Sequence, residues 1–278
     1  QETLVFTDAS IFSMRFVGSP FYFSFNEIAS GIGMIAPKAA ASIGNIVFFM
    51  DDGAFYRASG NVERLPCTVL DYVFSDINKG ARFKFFAANN SEHNEIIWFY
   101  ASSSSTEIDR YVTYNYAENV WAVGTTSNNF TRTAWDNAPT LTNPIAAGKL
   151  DNTDKNYLYN HESGNLADGT AFPAYIESAD IDLDPAGEQF MYLSKIIPDI
   201  EFQDSSNAND SVNLVLKGRR YPNEAQSTLS TSALTATTNY KNTRGRTRQV
   251  AVRIENADGD FKWRLGDTRF EVRPDGAK

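Results

Sequence analysis

Residues 41–60 read ASIGNIVFFMDDGAFYRASG, and this stretch decides the fold class. The apolar run Ile46-Val47-Phe48-Phe49-Met50 meets the acidic, glycine-closed turn Asp51-Asp52-Gly53. A second run, Ala54-Phe55-Tyr56-Arg57, then stops at Ser59-Gly60-Asn61. Two short strands and a tight turn account for this more simply than a helix, since Asp-Gly tolerates the left-handed backbone that hairpin turns use. The pattern recurs at Asn94-Glu95-Ile96-Ile97-Trp98-Phe99-Tyr100, answered by Arg110-Tyr111-Val112-Thr113-Tyr114-Asn115-Tyr116. A weaker copy runs from Asn143-Pro144-Ile145-Ala146-Ala147-Gly148 to Lys155-Asn156-Tyr157-Leu158-Tyr159. Starts near residues 46, 96 and 145 give a period of about 50, in the range of β-propeller blades.

Composition points the same way. The chain has 20 Phe and 13 Tyr against 4 Met, and aromatic residues favour pleated, half-buried surfaces. The expectation is an all-β protein. Residues 1–170 should form a partial β-propeller of about three blade-like repeats, completed by an absent N-terminal part. Residues 171–278 should form an antiparallel β-sandwich-like domain, because strands such as 249–256 and 268–273 each have one apolar face to cover. The segment 68–78 has apolar residues at helical spacing, and 226–239 reads as a loop or weak edge hairpin. The chain starts on strand-like Leu4-Val5-Phe6 with no leading methionine, so it reads as part of a longer polypeptide.

The net charge of −9 argues against a broad nucleic-acid-binding face. No apolar run approaches the ~20 residues of a membrane span. Cys67, the single cysteine, sits among apolar neighbours and reads as a buried, inert thiol. His93 and His161 each lie in a polar loop, have no metal-ligand spacing around them and read as solvated. Asp51 and Asp52 read as turn acids facing a lumen or a neighbour. Asp180, Asp182 and Asp184 alternate along one run, which leaves three readings open: a solvated strand face, calcium ligands, or paired catalytic carboxylates. The basic cluster Lys241, Arg244, Arg246 and Arg248 reads as a hairpin loop, with subunit contact or phosphate contact as the alternatives. Serine-hydrolase and phosphate-loop signatures are absent from the sequence, and no cofactor is implied.

Several stretches resemble the tail nozzle or packaged-DNA stabilisation proteins of short-tailed bacteriophages. They are Phe21 to Ile28, Leu65 to Phe74, RYVTYNYAENVW at 110–121, Pro173 to Ser178, and Trp263 to Gly276. The resemblance implies a non-enzymatic virion protein of the tail, a subunit of a hexameric ring that retains packaged DNA and conducts it on ejection. Its implied partners are further copies of itself, tail adaptor or portal-proximal proteins, tail fibres or spikes, and transiently passing double-stranded DNA. A propeller-type polysaccharide-degrading enzyme is the alternative, and so is a receptor- or carbohydrate-binding module.

Overall fold

The computed structural model describes residues 2–126, 131–138, 140–149, 156–167, 169–184, 187–203, 210–256 and 259–276. Lys155, used above in the third repeat, lies outside them. The chain divides into two compact units, Gln1–Ser163 and Gly164–Lys278. Both are built from small antiparallel sheets, so the protein is all-β. Among the described residues no sheet closes into a propeller or barrel.

The first unit is a run of meanders. β1 (Glu2–Phe6), β2 (Ser10–Gly18) and β3 (Tyr22–Ser30) pair in chain order. A four-stranded sheet follows: β4 (Ala40–Ile43), β5 (Ile46–Met50), β6 (Phe55–Ser59) and β7 (Asn61–Arg64). The hairpin read from the 41–60 stretch is therefore real, with Met50 opposite Phe55. Its left-handed backbone is not at Gly53, however, but at Gly44 (φ 56°) and Gly60 (φ 81°), in the two flanking turns. A short helix, α1 (Leu70–Ser75), and a 3-10 turn at Lys79–Lys84 then lead to the next sheet. That sheet consists of β8 (Phe86–Asn90), β9 (Glu95–Tyr100), β10 (Arg110–Asn115) and β11 (Val120–Thr125). A three-stranded meander, β12 (Ala134–Asp136), β13 (Ile145–Lys149) and β14 (Asn156–Asn160), completes the unit.

β9 explains the unbroken apolar run at 96–100. A strand covered on only one face alternates, whereas one covered on both reads as continuously hydrophobic. Ile96, Trp98 and Tyr100 share one face, which packs into the core with Phe48, Met50 and Phe55 of the preceding sheet. Trp98 lies 4.8 Å from the Phe55 ring and 6.0 Å from Trp121, and its indole Nε1 donates to the Ala39 carbonyl at 3.2 Å. Ile97 and Phe99 occupy the other face, where Trp135 of β12 approaches Phe99 at 6.1 Å.

The second unit begins with a two-stranded pair, β15 (Leu166–Ala167) and β16 (Thr170–Ala171). β17 (Ala174–Glu177) and β18 (Ile181–Asp182) follow, and both pair with a later strand. Then come β19 (Met191–Ile197), β20 (Ile200–Gln203), β21 (Ser211–Arg219) and β22 (Ser227–Thr235). The last four are β23 (Lys241–Thr247), β24 (Gln249–Asn256), β25 (Lys262–Leu265) and β26 (Arg269–Pro274). One sheet runs β17-β24-β21-β22, another β23-β19-β26, and β20 pairs with β25. Met191, Leu193 and Ile196 of β19 share a core with Leu214, Leu216, Val250 and Ile254. The stretch 226–239 contains an edge strand hairpinned to β21 with Leu234 buried, which is the edge-hairpin alternative and not the loop.

Truncating Trp98 to Ala should cost about 3–5 kcal/mol, since it leaves a cavity in the largest aromatic cluster and removes the indole's hydrogen bond to the Ala39 carbonyl. Denaturant titration of W98A against the wild type measures this; a loss under about 1 kcal/mol would contradict the packing described.

Candidate functional site

Glu95 opens β9 at the point where the apolar run begins. It pairs across the sheet with Asn90 on one side and Asn115 on the other. By alternation it shares the face of Ile97 and Phe99, not that of Trp98. The 91–94 turn beside it is held in place. Asn115 Nδ2 donates to the His93 carbonyl at 3.0 Å, and the Tyr116 hydroxyl donates to Asn94 Oδ1 at 3.1 Å. Asn94 takes φ 57°, one of the few non-glycine residues in the left-handed region.

Glu162, far away in sequence, arrives at the same place from the segment after β14. Its backbone is also left-handed, at φ 55°, and its carbonyl accepts from Asn143 Nδ2 at 3.1 Å. Its carboxylate accepts from Asn90 Nδ2 at 3.1 Å and from His93 Nε2 at 2.9 Å. Asn90 is 1% exposed, so one of these donors is fixed in the interior.

The two carboxyls meet different conditions. Burial pushes the Glu95 carboxyl above the ordinary range; His93 draws it partly back, and the Glu162 charge pushes it up again. Glu162 is partly open to solvent and accepts hydrogen bonds from two donors. Tyr111 of β10 feels both. Burial first, then the charges of Glu95 and Glu162, push its phenol up to about 12. The ring lies against Gly124, where a Cβ would come within 2.1 Å of it, so only glycine leaves it room.

A second cluster borders Glu162 in the chain. Arg132 Nε donates to His161 Nε2 at 2.9 Å, so that nitrogen carries no proton. Burial, and then the Arg132 charge, lower His161 to about 4. Its ring lies 4.5 Å from that of Trp135, whose indole donates to the Asn89 carbonyl at 3.1 Å. The Arg132 guanidinium also sits 4.6 Å from the Tyr159 ring. His161 is thus not the solvated loop residue expected, and Trp135 lies on β12.

The residues singled out from the sequence lie elsewhere. Asp51 Oδ1 accepts weakly from the Gly33 amide at 3.4 Å, and Asp52 pairs with Lys79 at 2.8 Å. Lys241, Arg244 and Arg246 are on β23 and Arg248 follows it, so the basic cluster is a sheet strand and not the hairpin loop expected. Arg246 pairs with Asp275 and lies 4.1 Å from the Phe190 ring, with Arg248 4.7 Å from the same ring. Asp180 binds Arg219 and Gln226, Asp182 accepts from Gln249 at 3.2 Å, and Asp184 caps the Gly187 amide at 2.7 Å. Those three acids do not converge, and among the described residues no group of three or more His, Cys, Asp or Glu could hold a metal ion. Cys67 is half-buried, and burial raises its thiol pKa.

No family model and no curated protein matches the chain. Solved structures that match include two of an exo-beta-1,3-galactanase from Phanerochaete chrysosporium, each with beta-1,3-galactotriose. They are each 8% identical, with TM-scores of 0.30 and 0.29. The matches cover 95% and 97% of this chain and 75% and 81% of the galactanase chains. On this finding the phage-nozzle expectation is corrected, together with the non-enzymatic, virion-structural reading it implied. Neither of these two structures is of a tail protein. A likeness this slight carries no argument about what this chain does, so its activity has to be argued from its own side chains.

Because folded His161 refuses a proton until about pH 4 while the unfolded residue takes one near 6.5, stability falls as pH drops through that window. Melting wild type and His161→Gln between pH 7 and 4 should show a smaller acid-induced drop in the variant. Identical drops would show that His161 is not held neutral.

Proposed function

We propose that the protein acts on carbohydrate as a hydrolase, with Glu95 as general acid and Glu162 as the charged partner carboxylate. The observation that carries this is the pair itself. Burial first, opposed by His93 and aided by the Glu162 charge, raises one carboxyl above its ordinary range, while the other accepts hydrogen bonds from Asn90 and His93. Two carboxyls whose environments push them apart can divide acid and base roles, and glycoside hydrolysis is the reaction built on such a pair. Glu95 would protonate the leaving oxygen, while Glu162 would activate water or attack the anomeric carbon. The backbone strain at Glu162 and Asn94 fits this assignment, since strained residues gather where a side chain must be aimed. The −9 charge favours a neutral glycan over a polyanionic one.

A finer architecture goes with this reading. The successive three- and four-stranded meanders of the first unit are sized and ordered as blades of an open propeller. In the second unit, two sheets sharing one core are arranged as a sandwich.

Release of reducing ends from a panel of neutral polysaccharides tests the proposal. Glu95→Gln and Glu162→Gln should each lower kcat/KM by about 10²–10⁴ while the circular dichroism spectrum is unchanged. An inactive wild type, or a Glu95→Gln variant as active as wild type, would overturn it. Glu95→Gln has a second readout that needs no substrate. A raised carboxyl costs stability above its own pKa and nothing below the unfolded value of 4.5, so the variant should melt higher than wild type at pH 7 and match it in acid.

A further inference from the structure

The first sheet, β1-β2-β3, has two apolar faces and only one of them is covered. Leu4, Phe6 and Ile11 pack inward with Phe49 and Ala58. In register on the opposite face, Met14 stands across from Phe25 and Phe16 across from Phe23. Phe16, Phe23 and Phe25 are 69%, 50% and 59% exposed. Antiparallel sheets with one wet face normally carry polar residues there, so an aromatic outer face is a feature to be covered. The Phe16 and Phe23 rings already meet edge to face at 5.8 Å, which gives a preassembled anchor that loses little side-chain freedom on docking.

Charge says what covers it. From Phe16 to Asn26 the sequence FVGSPFYFSFN contains no acidic or basic residue. The nearest charges are already occupied: Arg15 pairs with Glu2 at 3.0 Å, and Glu27 accepts from Ser10 Oγ at 2.7 Å. In a chain of net charge −9, bringing two copies together sets like charges against each other over most of the surface. This face avoids that repulsion and presents the apolar surface that a self-complementary contact needs. We infer that a second copy of this chain docks here, as an isologous pair through the outer face of β2 and β3.

Sedimentation equilibrium of the wild type, Phe16→Glu and Phe83→Glu tests this. Phe83 is a control of similar exposure, 70%, on the 3-10 turn. Wild type and Phe83→Glu should self-associate with the same dissociation constant, and Phe16→Glu should weaken it at least tenfold. Circular dichroism confirms that Phe16→Glu is folded; if it is not, Phe25→Ser serves the same purpose. A wild type that stays monomeric at about 100 µM overturns the inference, including one that instead floats with neutral phospholipid vesicles. So do equal constants for wild type and both Phe16→Glu and Phe25→Ser, or an equal loss in the Phe83 control.

Discussion

The aromatic packing around Trp98 is the constraint on which the first unit depends. Phe55 touches both Trp98 and Trp121 at 4.8 Å and Phe74 at 5.4 Å, which ties β6, β9, β11 and α1 together. Each indole also has a polar tether: Trp98 to the Ala39 carbonyl at 3.2 Å and Trp121 to the Pro66 carbonyl at 2.8 Å. Burying such large rings is strongly favourable, and pairing their N–H groups removes the penalty of hiding them. Once Trp98 is fixed on one side, alternation puts Glu95, Ile97 and Phe99 on the other. The position of Glu95 is therefore a consequence of core packing on the far face of its own strand.

From there the site follows by electrostatics. Asn90, cross-strand partner of Glu95, gives its amide to Glu162, so the residue that flanks one carboxyl helps hold the charge of the other. Exposed pairs such as Arg57 with Glu63 sit in high dielectric and contribute little. A half-buried carboxyl beside a second carboxylate is a different case, because there the protonation state is set by structure and not by solvent.

Much of the fold was legible from local pattern. The hairpins at 46–59 and 95–115 follow from apolar runs broken by turn residues, and the third repeat matches β13 and β14. Reading failed where tertiary context outweighed composition. Lys241 to Arg248 looks like a hairpin loop, yet it belongs to a strand and the residue after it, with Arg246 on the Asp275 carboxylate and both Arg246 and Arg248 against the Phe190 ring. Ser227 to Thr235 looks loose, yet cross-strand pairing to β21 holds it. The candidate site was not legible, because Glu95 and Glu162 are joined only by the stacking of two meanders. One signal was present: a single carboxyl at the head of the unbroken apolar run 96–100. Its meaning depends on knowing what lies above it. The resemblance to phage tail proteins rested on stretches that include neither Glu95 nor Glu162, so it had no bearing on this site.

The central claim is that burial, with the Glu162 charge adding to it, raises the Glu95 carboxyl above the range of an ordinary glutamate. Carbon-13 NMR of labelled glutamate carboxyls, titrated in wild type and Glu162→Gln, measures this directly. The account predicts that Glu95 titrates above the usual value of 4.5 in wild type and moves down when Glu162 is neutralised. A Glu95 that titrates at or below that value, or that is indifferent to the loss of the Glu162 charge, would contradict it.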